Sequence, residues 1–352
     1  MTGSITGESL PEGSALNEIA TPRVSVVVPN FRHVDFLVPR LESILSQTMR
    51  DFEVILLDDA SDDGSVEILE KYLGDSRVRH LLVNEVNSGR PFAQWKRGLE
   101  LARADQIWIA ESDDVAHPEF LERLLPAFEV PNTVISACEV EFIDPRGQSL
   151  GFPHEGLGGD HTGIDFLRRS LSYRNCLRNA SAVLFSRTAA MHCIDRVEGF
   201  RYSGDWLFWA LLAMTPGARI HYEESALCHY RVHPGSVHGS LDRQSHDRCT
   251  KCGERLQVIS EILVDPSVAG FSVRSFLCFA SLNSEARFWL CGTRRSSRWV
   301  RRLVLARAGH LGFPFVLIGV LIKTAVARSL RRVRHGVGGR RTASTVGRGS
   351  SR

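Results

Sequence analysis

From residue 23 onward, short β-branched apolar runs alternate with stretches whose apolar positions recur every three or four residues. Val24-Ser25-Val26-Val27-Val28, stopped by Pro29-Asn30, predicts a buried strand that ends in a loop. Phe36, Leu37, Leu41, Ile44 and Leu45 then follow helical spacing. Phe52-Glu53-Val54-Ile55-Leu56-Leu57 predicts a second buried strand, ending at Asp58-Asp59. Residues 61–65 supply a turn and cap, and Val66, Ile68, Leu69 and Tyr72 continue as a helix. Residues 78–83 read as a third strand and 92–104 as a helix. Residues 106–110 read as a fourth strand, running into Glu111-Ser112-Asp113-Asp114. Further on, the glycines at 151, 156, 158, 159 and 163 predict a loop over the site. Residues 200–214 are helix-like and aromatic, and the pattern turns helical again beyond about residue 245.

This alternation predicts an α/β fold with a mainly parallel sheet. Such sheets bind ligands beyond the carboxyl ends of their strands, where the pairs Asp58-Asp59 and Asp113-Asp114 stand. Two carboxylates ending a buried strand are costly unless paired or metal-bound. Asp113 and Asp114, with Glu111 on the same turn, offer oxygen ligands for Mn2+ or Mg2+. A second reading stays open, in which Asp114 caps a helix starting near His117-Pro118.

Several segments together resemble family 2 glycosyltransferases of the GT-A fold over residues 22–240. They are residues 24–30, Asp58-Asp59-Ala60-Ser61-Asp62-Asp63-Gly64-Ser65, Asn87-Ser88-Gly89-Arg90 and Trp108-Ile109-Ala110-Glu111-Ser112-Asp113-Asp114, in the family's order and spacing. The resemblance implies a GT-A-like nucleotide-sugar-binding domain and assigns roles residue by residue. Pro29, Asn30 and Phe31 would border the base, and Asp59, with Asp58 beside it, would accept from the base edge. Asn87, Gly89 and Lys96 or Arg97 would lie near ribose and diphosphate. Asp113 and Asp114 would hold ribose and metal, Glu111 standing where the family more often has Asp. Gly204-Asp205-Trp206 resembles the segment carrying the catalytic base, so Asp205 would take the acceptor proton; a helix N-cap role is compatible with this. Tyr230-Arg231-Val232-His233 resembles an element that closes many such domains. There Arg231 would face the diphosphate and His233 would be a further metal ligand, or both are structural.

Charge changes the picture at one end. After Glu285 come fifteen arginines and Lys323 with no acidic residue, so residues 1–285 hold 27 basic against 40 acidic side chains, a net −13. An acidic body with a basic tail predicts contact with an anionic surface. Residues 311–322 are apolar but too short to span a bilayer, and arginines flank them. An interfacial helix on an anionic leaflet and a helix packed on the catalytic domain are both open. No recognition motif supports nucleic acid as a partner. Residues 1–22 lack an apolar stretch of signal-peptide type, which predicts a flexible leader and a cytoplasmic protein with reduced cysteines. Cys249 and Cys252 form a lone C-x-x-C, open as zinc ligands or as plain thiols.

The predicted organisation is a leader (1–22), a GT-A domain (23–245), a helical extension (246–335) and a disordered basic tail (336–352). The predicted activity is inverting, metal-assisted sugar transfer from a nucleoside diphosphate, UDP or dTDP, to a saccharide or lipid-linked hydroxyl. A non-catalytic sugar-nucleotide-binding module of a polysaccharide assembly is the alternative. A sugar-1-phosphate nucleotidyltransferase is disfavoured, because Pro29-Asn30-Phe31-Arg32-His33 replaces the Gly-rich basic loop it would need.

Overall fold

The computed structural model describes residues 21–172, 174–235 and 245–264. Most of the leader, the apolar stretch 311–322 and the basic tail lie outside the described residues, as do the side chains of Cys249 and Cys252.

One sheet organises the chain, with strand order β3-β2-β1-β4-β9-β6-β10-β5. The first four are β1 (Val24–Asn30), β2 (Phe52–Asp58), β3 (Val78–Val83) and β4 (Gln106–Ile109), and they run parallel. Between them cross α1 (Val34–Leu45), α2 (Ser65–Lys71) and α3 (Pro91–Leu101). β9 (Val183–Ser186) then inserts antiparallel between β4 and β6 (Thr133–Ile143). β6 runs parallel to β10 (Arg219–Arg231), which pairs with the two-residue β5 (Val115–Ala116). The predicted glycine-rich loop carries two short strands, β7 (Ser149–Gly151) and β8 (Gly159–Thr162). β7 pairs with β6 and β8 with β10. The remaining α-helices among the described residues are α4 (Phe120–Leu124), α5 (Gly163–Phe166), α6 (Arg187–Met191), α7 (Gly204–Ala213) and α8 (Ser245–Val264).

All seven residues of β1 and of β2 are buried, as continuous apolar runs in a doubly covered sheet require. Alternation sends Val24, Val26 and Val28 to one layer, with Leu37, Leu41 and Ile44 of α1. Val27 goes to the other, with Trp95 and Leu99 of α3, most of α7, and Val258, Ile259 and Ile262 of α8. The helical pattern beyond residue 245 therefore begins with a helix whose apolar face joins the core.

Gly98 is where α3 comes closest to β1: a Cβ there would overlap the side chain of Val27. Gly98→Ala gains about 1 kcal/mol of helix propensity but overpacks a contact whose cost is about 1–3 kcal/mol. We expect a net loss of stability, read as a lower midpoint in denaturant at unchanged slope; an unchanged midpoint would contradict the packing.

Register aligns the strand ends. Asn30 stands opposite Asp58, and Val27 opposite Ile109. The ladder runs one step further, with Asp59 N donating to Asn30 O at 2.9 Å and Ala110 N to Val27 O at 2.8 Å. The loops after β1, β2 and β4 thus emerge side by side.

Candidate active site

Arg32 and Ala60, in the loops after β1 and β2, both adopt left-handed backbone conformations (φ 56° and 62°). Such conformations cost energy for non-glycine residues and persist where surrounding contacts enforce them. Those contacts are visible: Arg32 N donates to Ser61 Oγ at 2.9 Å, and its guanidinium grips Asp62 through two bonds of 2.6 Å.

Behind this pair of loops, Asp58 is fully buried and accepts from Asn30 Nδ2 at 2.7 Å and Ser61 N at 2.8 Å. Asn30 and Asp58 therefore tie the two loops together, while Phe31, beyond Pro29, stays exposed at the mouth. Asp59 accepts from Asn84 Nδ2 at 2.6 Å, Gln94 Nε2 at 3.0 Å, and both the amide and the hydroxyl of Ser88. Arg97 reaches the same cluster through Asn84 Oδ1 at 2.6 Å. Asn87 and Gly89 form the exposed turn beside it, Gly89 N donating to Asn87 Oδ1 at 2.6 Å. Lys96 stands apart, paired with Asp195 at 2.7 Å and Glu198 at 3.2 Å.

The turn after β4 separates its three carboxylates. Glu111 takes the Trp95 indole N–H at 3.1 Å, and its pKa is pushed up to about 8 by burial and by the charges of Asp113 and Asp114. Asp114 accepts from Asn179 Nδ2 (2.7 Å), Ser181 Oγ (2.6 Å) and Arg231 N (3.0 Å). Burial and the neighbouring Asp113 raise it as well. Asp113 is different. Burial works against its charge, yet the hydrogen bond to His233 and the neighbouring imidazoles hold it below the ordinary carboxylate range. His233 Nε2 lies 3.1 Å from Asp113 Oδ2, and a ligand atom of His33 completes a group lying within 4.8 Å of one another. His33 Nδ1 also pairs with Ser112 Oγ at 2.8 Å. Burial lowers the His33 pKa, favouring the neutral ring that can ligate. A separation near 3 Å suits neighbouring ligands on one ion with bonds of about 2.1 Å. The donor set therefore fits a divalent cation at Asp113, His33 and His233, with Asp114 and Glu111 occupied by protein donors.

Two cations support this turn without facing outward. Arg231 donates to the backbone oxygens of Asp113, Asp144 and Pro145, and so fixes the turn from beneath. Arg40 is fully buried over the Trp108 ring, 4.9 Å from its centroid, with no hydrogen bond on any guanidinium nitrogen. Its charge lowers the pKa values of Asp114 and Glu111. It is the counter-charge the acidic turn needs inside a low-dielectric core.

Asp205 opens α7. Asn175 Nδ2 donates to one carboxylate oxygen at 2.7 Å and Trp206 N to the other at 2.8 Å. Burial pushes its pKa up to about 6, the range useful to a general base.

The model for Glycosyl transferase family 2 matches residues 25–188, the segment that builds the first four strands and the acidic turn. Residues 25–188 are a segment of glycosyltransferase family 2 type. Among curated relatives, the uncharacterized glycosyltransferase YibD of Escherichia coli K12 is 26% identical over 232 residues, which are 64% of this chain and 66% of that protein. Among solved structures, Staphylococcus aureus TarS 1–349 in complex with UDP-GlcNAc superposes with a TM-score of 0.53 at 17% identity. That match covers 81% of this chain and 88% of TarS. The mannosyltransferase PcManGT of Pyrobaculum calidifontis, in complex with GDP-Man and Mn2+, gives 0.50 at 14% identity, covering 87% and 88%. At these identities the two structures share the fold.

Four contacts were not readable from the sequence. His33 is a lone imidazole two residues past Phe31, and only the fold brings it to His233. Asn175 and Asn179 share one loop, the first on Asp205 and the second on Asp114. Their four-residue spacing was the one available signal, and it lies in a stretch without periodicity. Glu254, on α8, touches the loop ahead of Asp205.

Proposed function

We propose that this chain is an inverting, metal-dependent glycosyltransferase that moves a sugar from a nucleoside diphosphate to a hydroxyl of a saccharide or lipid-linked acceptor. The observation that carries the reading is the division of labour among the carboxylates of the site. Asp113 stays ionised between two imidazoles, while Asp205, on another element, has its pKa lifted toward neutrality. In the proposed step the acceptor O–H proton passes to Asp205 as its oxygen bonds to the anomeric carbon. The bond from that carbon to the diphosphate breaks, and its electron pair leaves with the nucleoside diphosphate. Attack opposite the leaving group inverts the anomeric centre.

Asp113, His33 and His233 would hold the cation, which when bound neutralises charge on the departing diphosphate. Two imidazoles beside one carboxylate favour Mn2+ over Mg2+. The base would enter beside Phe31 and engage Asp59, exchanging the contacts of the exposed Ser88 for its own. UDP is the proposed nucleotide, in keeping with the donor bound to TarS, and dTDP is the close alternative; PcManGT binds GDP-Man with Mn2+. The acceptor would be a growing polysaccharide at the inner face of a membrane, with residues 311–322 and their flanking arginines resting on anionic headgroups. Among the described residues no helix is long and apolar enough to cross a membrane.

The test is the thermal midpoint of the protein with UDP, dTDP or GDP, each with and without Mn2+. A ligand at a hundred times its dissociation constant adds about 2.7 kcal/mol, or several degrees. We expect the largest rise with UDP and Mn2+ together. No shift with any nucleotide, in folded protein, would sink the donor-site reading.

A further inference from the structure

The chain approaches α7 through residues 200–203, whose backbone N–H groups converge on one carboxylate. Arg201 N donates to Glu254 Oε1 at 2.8 Å, and Tyr202 N and Ser203 N both donate to Oε2 at 2.8 Å. Helix starts leave several N–H groups without intrahelical partners, and the residue at the N-cap usually supplies an oxygen itself. Here Ser203, at that position, makes no side-chain cap bond. Glu254 does not replace that cap: from α8, some fifty residues later in the chain, it takes the three N–H groups just ahead of the first turn.

Glu254 is held where it can do this. Val258, Ile259 and Ile262, four, five and eight residues further along α8, are buried in the layer that contains α7. That spacing puts all four residues on one helix face. Arg196 adds an ion pair to Glu261 at 2.6 Å. On the other side the loop is blocked by packing: a Cβ on Gly204 would meet Phe92 at 2.5 Å and Phe200 at 2.8 Å. Asp205 follows directly. The charged side chains that act on its carboxyl, Lys251 and Glu254, both belong to α8.

We propose that Glu254 is a positioning residue for sugar transfer, and that α8 acts through it to fix the loop presenting Asp205. The proposal rests on Asp205 being the base. It makes α8, a helix outside the family-matched segment, a working part of the active site. A base displaced by about 1 Å costs on the order of a hundredfold in rate, so the loss is in turnover more than in donor binding.

The experiment compares full-length wild type with Glu254→Ala, Glu254→Gln, Glu254→Asp and Asp205→Asn. It measures kcat, donor KM, the midpoint shift with UDP and Mn2+, and the pH dependence of kcat. Glu254→Ala should lose about 10- to 100-fold in kcat while keeping donor KM and the nucleotide-induced shift. Glu254→Asp, which retains the carboxylate, should recover part of the loss. Glu254→Gln should move the acid limb of kcat to lower pH, because the charge it removes raises the Asp205 pKa. A purely structural role would lower the midpoint and leave kcat and its pH profile at wild-type values below that midpoint; this result overturns the proposal. Should Glu254→Ala fail to fold, the Gln variant carries the same comparison. Turnover surviving in Asp205→Asn overturns the reading of the base itself. A dead Asp205→Asn beside a fully active, pH-unshifted Glu254→Gln overturns only the positioning role.

Discussion

Asp205→Asn should lose about 10²- to 10⁴-fold in turnover and, at pH 7.5, be more stable than wild type. The two effects share one cause. Burial lifts the Asp205 pKa from 3.8 to about 6, so the fold disfavours the charge that the proposed reaction needs. The sign follows from linkage. A carboxyl whose folded pKa lies above its unfolded value stabilises the fold below the unfolded pKa, and this contribution is lost as pH rises through the folded pKa. Above pH 6 the wild-type protein therefore carries an ionised group in an unfavourable place. A rise from 3.8 to about 6 corresponds to nearly 3 kcal/mol; solvent reaching this half-buried carboxyl reduces that to about 1–2 kcal/mol. The amide is also accommodated. Asn175 has its side-chain oxygen buried without a partner. Rotating the Asn175 amide lets that oxygen accept from the NH2 group that the substitution introduces, while Trp206 N keeps the remaining oxygen. Urea midpoints at pH 4 and pH 7.5 check this: the variant should gain only at the higher pH. In wild type, kcat should fall about tenfold per pH unit below 6. A variant that is inactive and also destabilised at pH 7.5 would assign Asp205 a structural role.

The first half of the fold was legible because its signals are local. β1 and β2 are continuous apolar runs closed by Pro29 and by Asp58-Asp59, and being buried on both faces they need no knowledge of their neighbours. The antiparallel insertion of β9 between β4 and β6 could not be read this way, since four apolar residues say nothing about which edges they join. The site divides along the same line. Family spacing picks out Asp59, Asp113, Asp114 and Asp205 as candidates, but spacing cannot say which way adjacent carboxylates point. Asp113 and Asp114 are neighbours in sequence and opposites in environment: one meets two imidazoles, the other Asn179, Ser181 and the backbone of Arg231. The partners come from the loop before β9 and the end of β10, more than sixty residues away. Likewise nothing in the sequence singles out Glu254. Only the docking of Val258, Ile259 and Ile262 shows where its carboxylate ends.

That opposition between Asp113 and Asp114 predicts different phenotypes for two substitutions that look alike in sequence. Asp113→Asn should weaken Mn2+ binding by about a hundredfold or more, since it removes the charged ligand of a three-residue set and leaves two neutral imidazoles. Its cost to folding should be small, because its carboxylate bonds chiefly to His233 at the same site and ties down no other strand. Asp114→Asn should do the reverse. An amide has one acceptor oxygen where the carboxylate uses two, so at least one of three buried donors is orphaned, at about 1–3 kcal/mol. Mn2+ affinity should change little. His33→Ala separates the imidazole set from a site of carboxylates alone: it should weaken Mn2+ binding at least tenfold, as losing even an indirect ligand contact commonly does. Titration of free Mn2+ by electron paramagnetic resonance, with UDP present, reads all three without requiring turnover. The low His33 pKa adds a sign: protons compete for that ring only at pH values below its ordinary range. Equal loss of Mn2+ binding in the Asp113 and Asp114 variants, with His33→Ala silent, would return the ion to the paired carboxylates and leave the imidazoles as packing.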